Sequence, residues 1–184
     1  DIAGEIKSIM ESYEVEIDGH LYPVKPVWNL GGHNIKQYEI HGGQVILNSP
    51  HSALNGSRMN EGEIYAIETF ATTGKGQAAE DNGVVTHYGI NYMNPKWSKI
   101  NIGNSRANKL LDYAKKRNTL PFCTRWVQRD FGEYKKPIDL LVKKGVLQQY
   151  PPLVDIEGSY SAQFEHTLYL HEFGKEILSA GDDY

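Results

Sequence analysis

The hydrophobic period of this chain changes twice, and that double switch constrains the fold more than any other feature. Up to about residue 72 the apolar residues come in short β-rich runs set among Gly, Asn and Ser. From about Asn104 to Leu147 they recur at helical spacing. From Ser159 to His171 they alternate, with Ala162, Phe164, His166, Leu168 and Leu170 set against polar partners. One kind of element cannot satisfy both periods, so the chain is expected to be an α+β body interrupted by a helical insert. Charge follows a similar division. Residues 91–150 hold 13 Lys and Arg against 4 Asp and Glu, a net of +9, while the remainder holds 6 against 19, a net of −13. Two subdomains of opposite sign are expected.

Within that frame, Ile2, Ile6, Ile9, Met10 and Tyr13 predict an amphipathic helix over 2–13. The run VEIDGHLYPV predicts a hairpin turning at Asp18-Gly19. Short extended pieces are expected at Gln37–Ile40 and Val45–Leu47, a buried strand at Glu63–Thr72 and a Gly-rich loop over 74–83. Three short helices are expected at Ala107–Tyr113, Phe122–Val127 and Ile138–Val146, and Tyr150-Pro151-Pro152 should be a rigid extended break. No run approaches the roughly 18 apolar residues of a membrane span. The opening DIAGEIKSIMESY has neither the basic start nor the apolar block of a secretory signal. It also lacks an initiator Met, which suggests a segment of something longer. A single cysteine, Cys123, excludes an internal disulfide framework and fits a reducing, cytoplasmic setting.

Glu68 is the most informative residue for chemistry. A carboxylate inside EIYAIETF has apolar neighbours on both strand faces, and burying an anion costs several kcal/mol unless it is paired or ligates a metal. A salt bridge to Lys or Arg and a metal or catalytic role both answer that requirement. Two histidines follow glycine-rich patterns, Gly31-Gly32-His33 and Ile40-His41-Gly42-Gly43. Glycine lets backbone approach a ligand closely and imidazole suits a borderline metal. Eight extended residues span roughly 26 Å at ~3.3 Å each, so the two imidazoles share a site only if the segment turns. Different roles around one pocket are the more natural expectation, and an ordinary role remains open for each. Glu165 lies on the Gln163/Thr167/Tyr169 face, where a solvated glutamate is the plain reading. His166 and His171 fall on opposite strand faces and do not form a chelating pair, and His20 and His51 are assigned nothing. The segment ending in Thr73-Gly74-Lys75-Gly76 lacks the first glycine and the final Ser/Thr of a phosphate loop. Cys123, within PFCTRWV, reads as packing.

The runs NLGGHNIKQYEIHGG, NEGEIYAIETFATTGKG, VTHY at 85–88 and YPPLVDIEGSYSAQFEHTLYL, with GDDY at the end, resemble type 2 methionine aminopeptidases in content and order. The resemblance covers essentially the whole chain. It implies the second half of a pita-bread fold, with residues 1–86 and 151–184 in the catalytic domain and 87–150 as the basic helical insert of type 2 enzymes. It also implies a site of two aspartates, one histidine and two glutamates holding two divalent ions, which could be manganese, cobalt, iron or zinc. By motif, His33, Glu68 and Glu165 match metal ligands, Glu165 being the bridging carboxylate. Glu68 is also the implied general base, and His41 matches the non-ligand histidine that contacts substrate and the tetrahedral intermediate. Ile40, His87 and Tyr150 match positions lining the methionine pocket. Lys36, where many relatives carry a small residue, and the run HGGQVILNSP depart from the pattern. The two aspartate ligands and a further histidine are expected in a preceding half, without which this segment should be inactive. The implied function is removal of the initiator methionine from nascent polypeptides, with the basic insert associating with the ribosome. The rival from the same fold is a non-catalytic, ribosome-associated binding paralogue. A proline-cleaving peptidase is disfavoured by the basic insert and the YPPL run.

Overall fold

The computed structural model describes residues 1–50 and 58–182, and His51 and the last two residues of GDDY lie outside them. Asp18 (φ 51°) and Gly19 (φ 77°) both take the left-handed backbone that a two-residue type I′ turn needs. The strands on either side, Glu14–Ile17 and His20–Pro23, pair antiparallel with Ile17 opposite His20. The helix preceding them runs Ile2–Met10, shorter than the amphipathic pattern allows, and the chain turns at Glu11–Ser12.

The chain divides into two compact units, one of Asp1–Ala79 with Leu153–Tyr184 and the other of Glu80–Pro152. The first is built on a six-stranded sheet whose central strand, Ile64–Thr72, is the β-branched and aromatic run of the sequence. On one side Ser161–His171 lies antiparallel to it, from Ser161 opposite Thr72 to Tyr169 opposite Ile64. On the other side Gly31–Ile35 pairs with it, His33 opposite Ala66. Val45–Leu47 and Gly174–Ile177 form the two edges, and Lys25–Pro26 pairs with the end of the central strand at Thr72 and Ala71. Tyr65, Ala66 and Thr72 are buried, whereas the rest of the central strand is half-buried.

Gly31 and Gly32 allow that sheet to close. A Cβ at Gly31 would stand 2.1 Å from the carbonyl oxygen of Ile46, and one at Gly32 would stand 2.1 Å from that of Ala66. The close approach expected of these glycines is real, but the neighbours are the two flanking strands of the sheet.

Several expected elements differ in detail, among them the helix expected at Ile138–Val146, which runs Lys135–Lys143. Gln37–Ile40 is not extended. Tyr38, with φ 61°, sits in a tight turn closed by reciprocal hydrogen bonds of 3.0 Å between Lys36 and Glu39. Tyrosine has no preference for positive φ, so nothing in KQYEI announces the reversal. The helix expected from Phe122 begins at Thr124 and runs to Phe131. Phe122 and Cys123 pair as a short strand with Tyr88 and His87.

The Thr73–Gly76 loop binds an anion after all, and the anion belongs to the protein. Asp155 receives hydrogen bonds from the amides of Lys75 (3.0 Å), Gly76 (2.9 Å) and Ile156 (2.7 Å) and from the Thr72 hydroxyl (3.0 Å). Burial opposes the charge, but the amides of Gly76, Lys75 and Ile156 and the Thr72 hydroxyl outweigh it and hold the carboxyl at about 2. A depressed folded-state pKa stabilises the fold above the unfolded value and loses that contribution as pH falls through the folded one. Asp155→Asn is therefore expected to destabilise the protein by about 2 kcal/mol at neutral pH, and the gap to wild type should close between pH ~4 and ~2. Denaturant titrations across that range check it, and a gap independent of pH would show that the amides are not held by charge.

The second unit contains a contiguous apolar core. Asn104 caps the helix Ser105–Lys115 by accepting from the Ala107 amide at 2.9 Å. Ala107, Leu110, Leu111 and Ala114 then fall on one buried face, the i, i+3, i+4, i+7 stripe of an amphipathic helix. The helix Lys135–Lys143 buries Pro137, Ile138 and Leu141. It stops at Gly145, whose φ of 69° gives the left-handed C-terminal turn. These helices share their core with a three-stranded sheet in which His87–Ile90 lies between Leu147–Tyr150 and Phe122–Cys123. Cys123 is buried there, as packing.

Candidate metal centre

In paired antiparallel strands, residues directly opposite one another project to the same face. The register therefore decides which side chains meet. Glu165 is opposite Glu68, Gln163 is opposite Phe70, and Thr167 is opposite Ala66, which is itself opposite His33. His33, Glu68, Gln163 and Glu165 thus gather on one face of the six-stranded sheet. His33 Nε2 stands 3.2 Å from Glu68 Oε1, with the two side chains 9% and 17% exposed. His33 Nδ1 faces the Asn34 carbonyl at 3.1 Å.

Glu68 is half-buried where its sequence context implied full burial, and its near partner is an imidazole. Among the described residues no Lys or Arg forms an ion pair with it. Burial first, then the charge of Glu165 across the strand pair, push the Glu68 carboxyl above its ordinary range against the pull of His33. Glu165 is exposed. Gln163 Nε2 lies 3.5 Å from both Glu68 Oε2 and Glu165 Oε2. Gln163 was not singled out from sequence, although its place two residues before Glu165 puts it on the same face.

The turn at Tyr38 brings His41 back to His33, with ring centroids 4.1 Å apart and planes inclined at 57°. The segment does turn, which is the condition on which eight residues could bring the two imidazoles to one place. Burial and the neighbouring His33 both lower the His41 pKa, so its imidazole is held towards the neutral form. Ile40, half-buried, precedes it in the same turn. His87 and Tyr150 lie in the other unit, directly opposite each other across the strands His87–Ile90 and Leu147–Tyr150. His87 Nδ1 is 3.0 Å from the Thr86 hydroxyl, and Tyr150 accepts from Gln148 Nε2 at 2.6 Å. His166 and His171 remain on opposite faces of their strand, and His20 closes back on the Asp18 carbonyl of its own turn.

One imidazole and two facing carboxylates, neither of which pairs with a Lys or Arg among the described residues, form a donor set of the kind that divalent cations accept. Among the described residues, however, no group of three His, Cys, Asp or Glu is drawn together closely enough to hold an ion by itself. The set fits one side of a metal centre.

Known proteins resemble the chain along its whole length. The whole chain is 46% identical over 188 residues to methionine aminopeptidase 2-2 of Chaetomium globosum. It is 46% identical over 190 residues to methionine aminopeptidase 2 of Komagataella phaffii and 45% over 187 to that of Podospora anserina. Over its whole length the chain is similar to part of these type 2 methionine aminopeptidases. It covers 41%, 41% and 40% of those three relatives, so it spans about two fifths of their length. No family model matches it. Among solved structures, that of a thermophilic Arx1 superposes with a TM-score of 0.69 over 88% of this chain and 42% of the other, at 17% identity. At that identity the likeness is one of fold, the pita-bread α+β fold expected from the sequence.

Proposed function

We propose that this chain supplies one side of the dinuclear metal centre of a methionine aminopeptidase, a hydrolase that removes the initiator methionine from new polypeptides. The observation that carries the reading is the register of the central strand pair. It sets Glu165 against Glu68 on the face that His33 shares, within a chain 46% identical to a named methionine aminopeptidase 2. His33 and Glu68 would hold one cation, and Glu165, the exposed carboxylate opposite Glu68 on the neighbouring strand, would help to hold a second. Divalent ions bound there would supply Lewis acidity towards water and a substrate carbonyl.

The chain's own groups suit the remaining steps. A carboxyl raised by burial and a like charge accepts a proton more readily than a free one, which fits Glu68 as general base. A neutral imidazole donates an N–H without carrying charge, which fits His41 as the donor to a developing oxyanion. Ile40, which precedes His41, is proposed to line the methionine pocket. Three donors from this chain leave the five-ligand set incomplete, so the 184-residue polypeptide alone should show no turnover. The proposed setting is the cytoplasm. Among the described residues no helix is long and apolar enough to cross a membrane.

Two substitutions in the full-length protein separate these roles. Glu68→Gln should cut the rate by more than it cuts bound metal, because it removes a base as well as a ligand. Equal losses would reduce Glu68 to a ligand. His41→Ala should leave metal content intact and lower turnover by roughly a hundredfold. Lost metal with an unchanged rate would make His41 a ligand instead.

The basic stretch suggests where the enzyme works. Lys115, Lys116, Lys135, Lys136 and Lys143 are exposed on the helical unit, and a surface of that kind meets phosphate with a steep salt dependence. Association with ribosomes through this surface would place the protein beside its nascent substrates. Co-sedimentation with ribosomes should weaken as salt rises, and should weaken further for Lys115→Glu/Lys116→Glu/Lys136→Glu. Equal sedimentation of variant and wild type at every salt concentration would rule the association out.

A further inference from the structure

Asn34 follows His33 in the strand Gly31–Ile35 and is 4% exposed. Three of its groups are committed to the segment after His41. Its amide donates to the Gln44 carbonyl at 3.2 Å, and its carbonyl accepts from the Gly42 amide at 2.8 Å. Its side-chain Oδ1 accepts from the Gln44 amide at 2.9 Å. The Gln44 side chain is fixed in turn, because the buried Tyr65 hydroxyl is shared between Gln44 Oε1 and Glu63 Oε2, the latter at 2.6 Å. Gly42 completes the arrangement. Its φ is not positive, so its backbone conformation does not call for glycine, but its surroundings do. A Cβ there would stand 2.7 Å from Asn34 Oδ1, 2.9 Å from Cγ and 3.0 Å from Nδ2, and these are its three nearest atoms. The Asn34 side chain occupies the volume that any larger residue at position 42 would need.

We infer that Asn34 is a positioning residue: its buried amide, seated against Gly42, clamps the His41 segment onto the sheet and holds the His41 ring beside His33. The catalytic part of this inference rests on the proposed role of His41 as donor. The clamp itself rests on geometry alone. A ring on a reversing segment needs such a clamp, because a displacement of about 1 Å at a reacting group is enough to cost orders of magnitude in rate. The hydrogen bonds of Asn34 and the packing against Gly42 remove that freedom.

The test uses the full-length protein and two readouts. Hydrogen exchange of the peptide spanning residues 41–45, in the metal-free protein, reads the clamp. Steady-state kinetics of the metal-loaded enzyme on a methionine-initiated peptide reads its consequence. Asn34→Ala should speed exchange of that segment about tenfold or more and lower kcat about tenfold, with KM changed less than about twofold. In a His41→Ala background the same substitution should cost less than about twofold, since the group it positions is gone. Gly42→Ala should mimic Asn34→Ala by driving the amide out of its seat, and should become nearly silent once Asn34 is alanine. If Asn34→Ala fails to fold, Gly42→Ala disturbs the same contact with one carbon and carries the same expectations. Unchanged exchange over 41–45, or an undiminished rate loss in the His41→Ala background, overturns the inference. Should His41→Ala itself leave turnover intact, the donor role of His41 falls. The exchange data and the Gly42 cycle then judge the clamp alone.

Discussion

Gly32→Ala is expected to cost the protein about 4 kcal/mol or more, enough to deplete soluble folded protein. The added Cβ would lie 2.1 Å from the Ala66 carbonyl oxygen and 2.9 Å from the Glu68 amide nitrogen. Both are backbone atoms of the central strand and cannot rotate away as a side chain would. Relief requires the strand Gly31–Ile35 to move off Ile64–Thr72, which breaks the pairing of His33 with Ala66 and carries His33 away from Glu68. Loss of stability should therefore be accompanied by loss of metal affinity. Gly4 provides the contrast. It sits inside the helix Ile2–Met10, where among the described residues a Cβ would meet nothing closer than Pro50 Cγ at 4.0 Å. Gly4→Ala should stabilise by up to about 1 kcal/mol, the difference in helix propensity. Thermal or denaturant unfolding of the two variants beside wild type checks both signs. A Gly32→Ala protein as stable as wild type would mean that the strands can separate freely, and the site geometry would lose its footing.

What the sequence disclosed and what it concealed divide along physical lines. Long periodic segments were legible. The strand Ile64–Thr72, the strand Ser161–His171, the hairpin at Asp18-Gly19 and the helix over Ala107–Leu111 all follow from side-chain period or from turn residues with a required backbone shape. The apolar surroundings of Glu68 were legible for the same reason. Its alignment with Glu165 was not, because register is a relation between strands nearly a hundred residues apart and neither strand encodes it by itself. The turn at Tyr38 was hidden for the opposite reason, as its shape is imposed by the pairing of Lys36 with Glu39 on a residue with no preference for it. Without that turn the contact between His33 and His41 could not be anticipated. The role of Asn34 was hidden too. Its value depends on an empty volume at Gly42, and a glycine in a Gly-Gly pair is more readily ascribed to backbone freedom.

Glu165→Gln in the full-length protein should remove nearly all bound metal and nearly all activity while leaving the metal-free fold as stable as before, or more so. Glu165 faces Glu68 directly across the strand pair, and its charge helps push the Glu68 carboxyl up. A glutamine has almost the same shape but no charge, so the substitution relieves that repulsion without opening a cavity. The sign of the pH dependence follows. A carboxyl whose folded-state pKa is raised makes the metal-free fold less stable as pH rises from its ordinary value through the raised one. In Glu165→Gln that decline should be shallower, because one of its two causes is gone and only burial remains. Metal binding responds in the opposite direction, because an amide oxygen is a weak neutral donor where a bridging position needs two charged oxygens. A residue that served only the fold would show the reverse combination, with stability lost and metal retained. Paired measurements decide between these outcomes: metal content by elemental analysis with turnover on a methionine-initiated peptide, and unfolding of the metal-free protein at several pH values. If Glu165→Gln keeps its metal and its rate, Glu165 does not bridge, and the centre must be built on His33 and Glu68 without it.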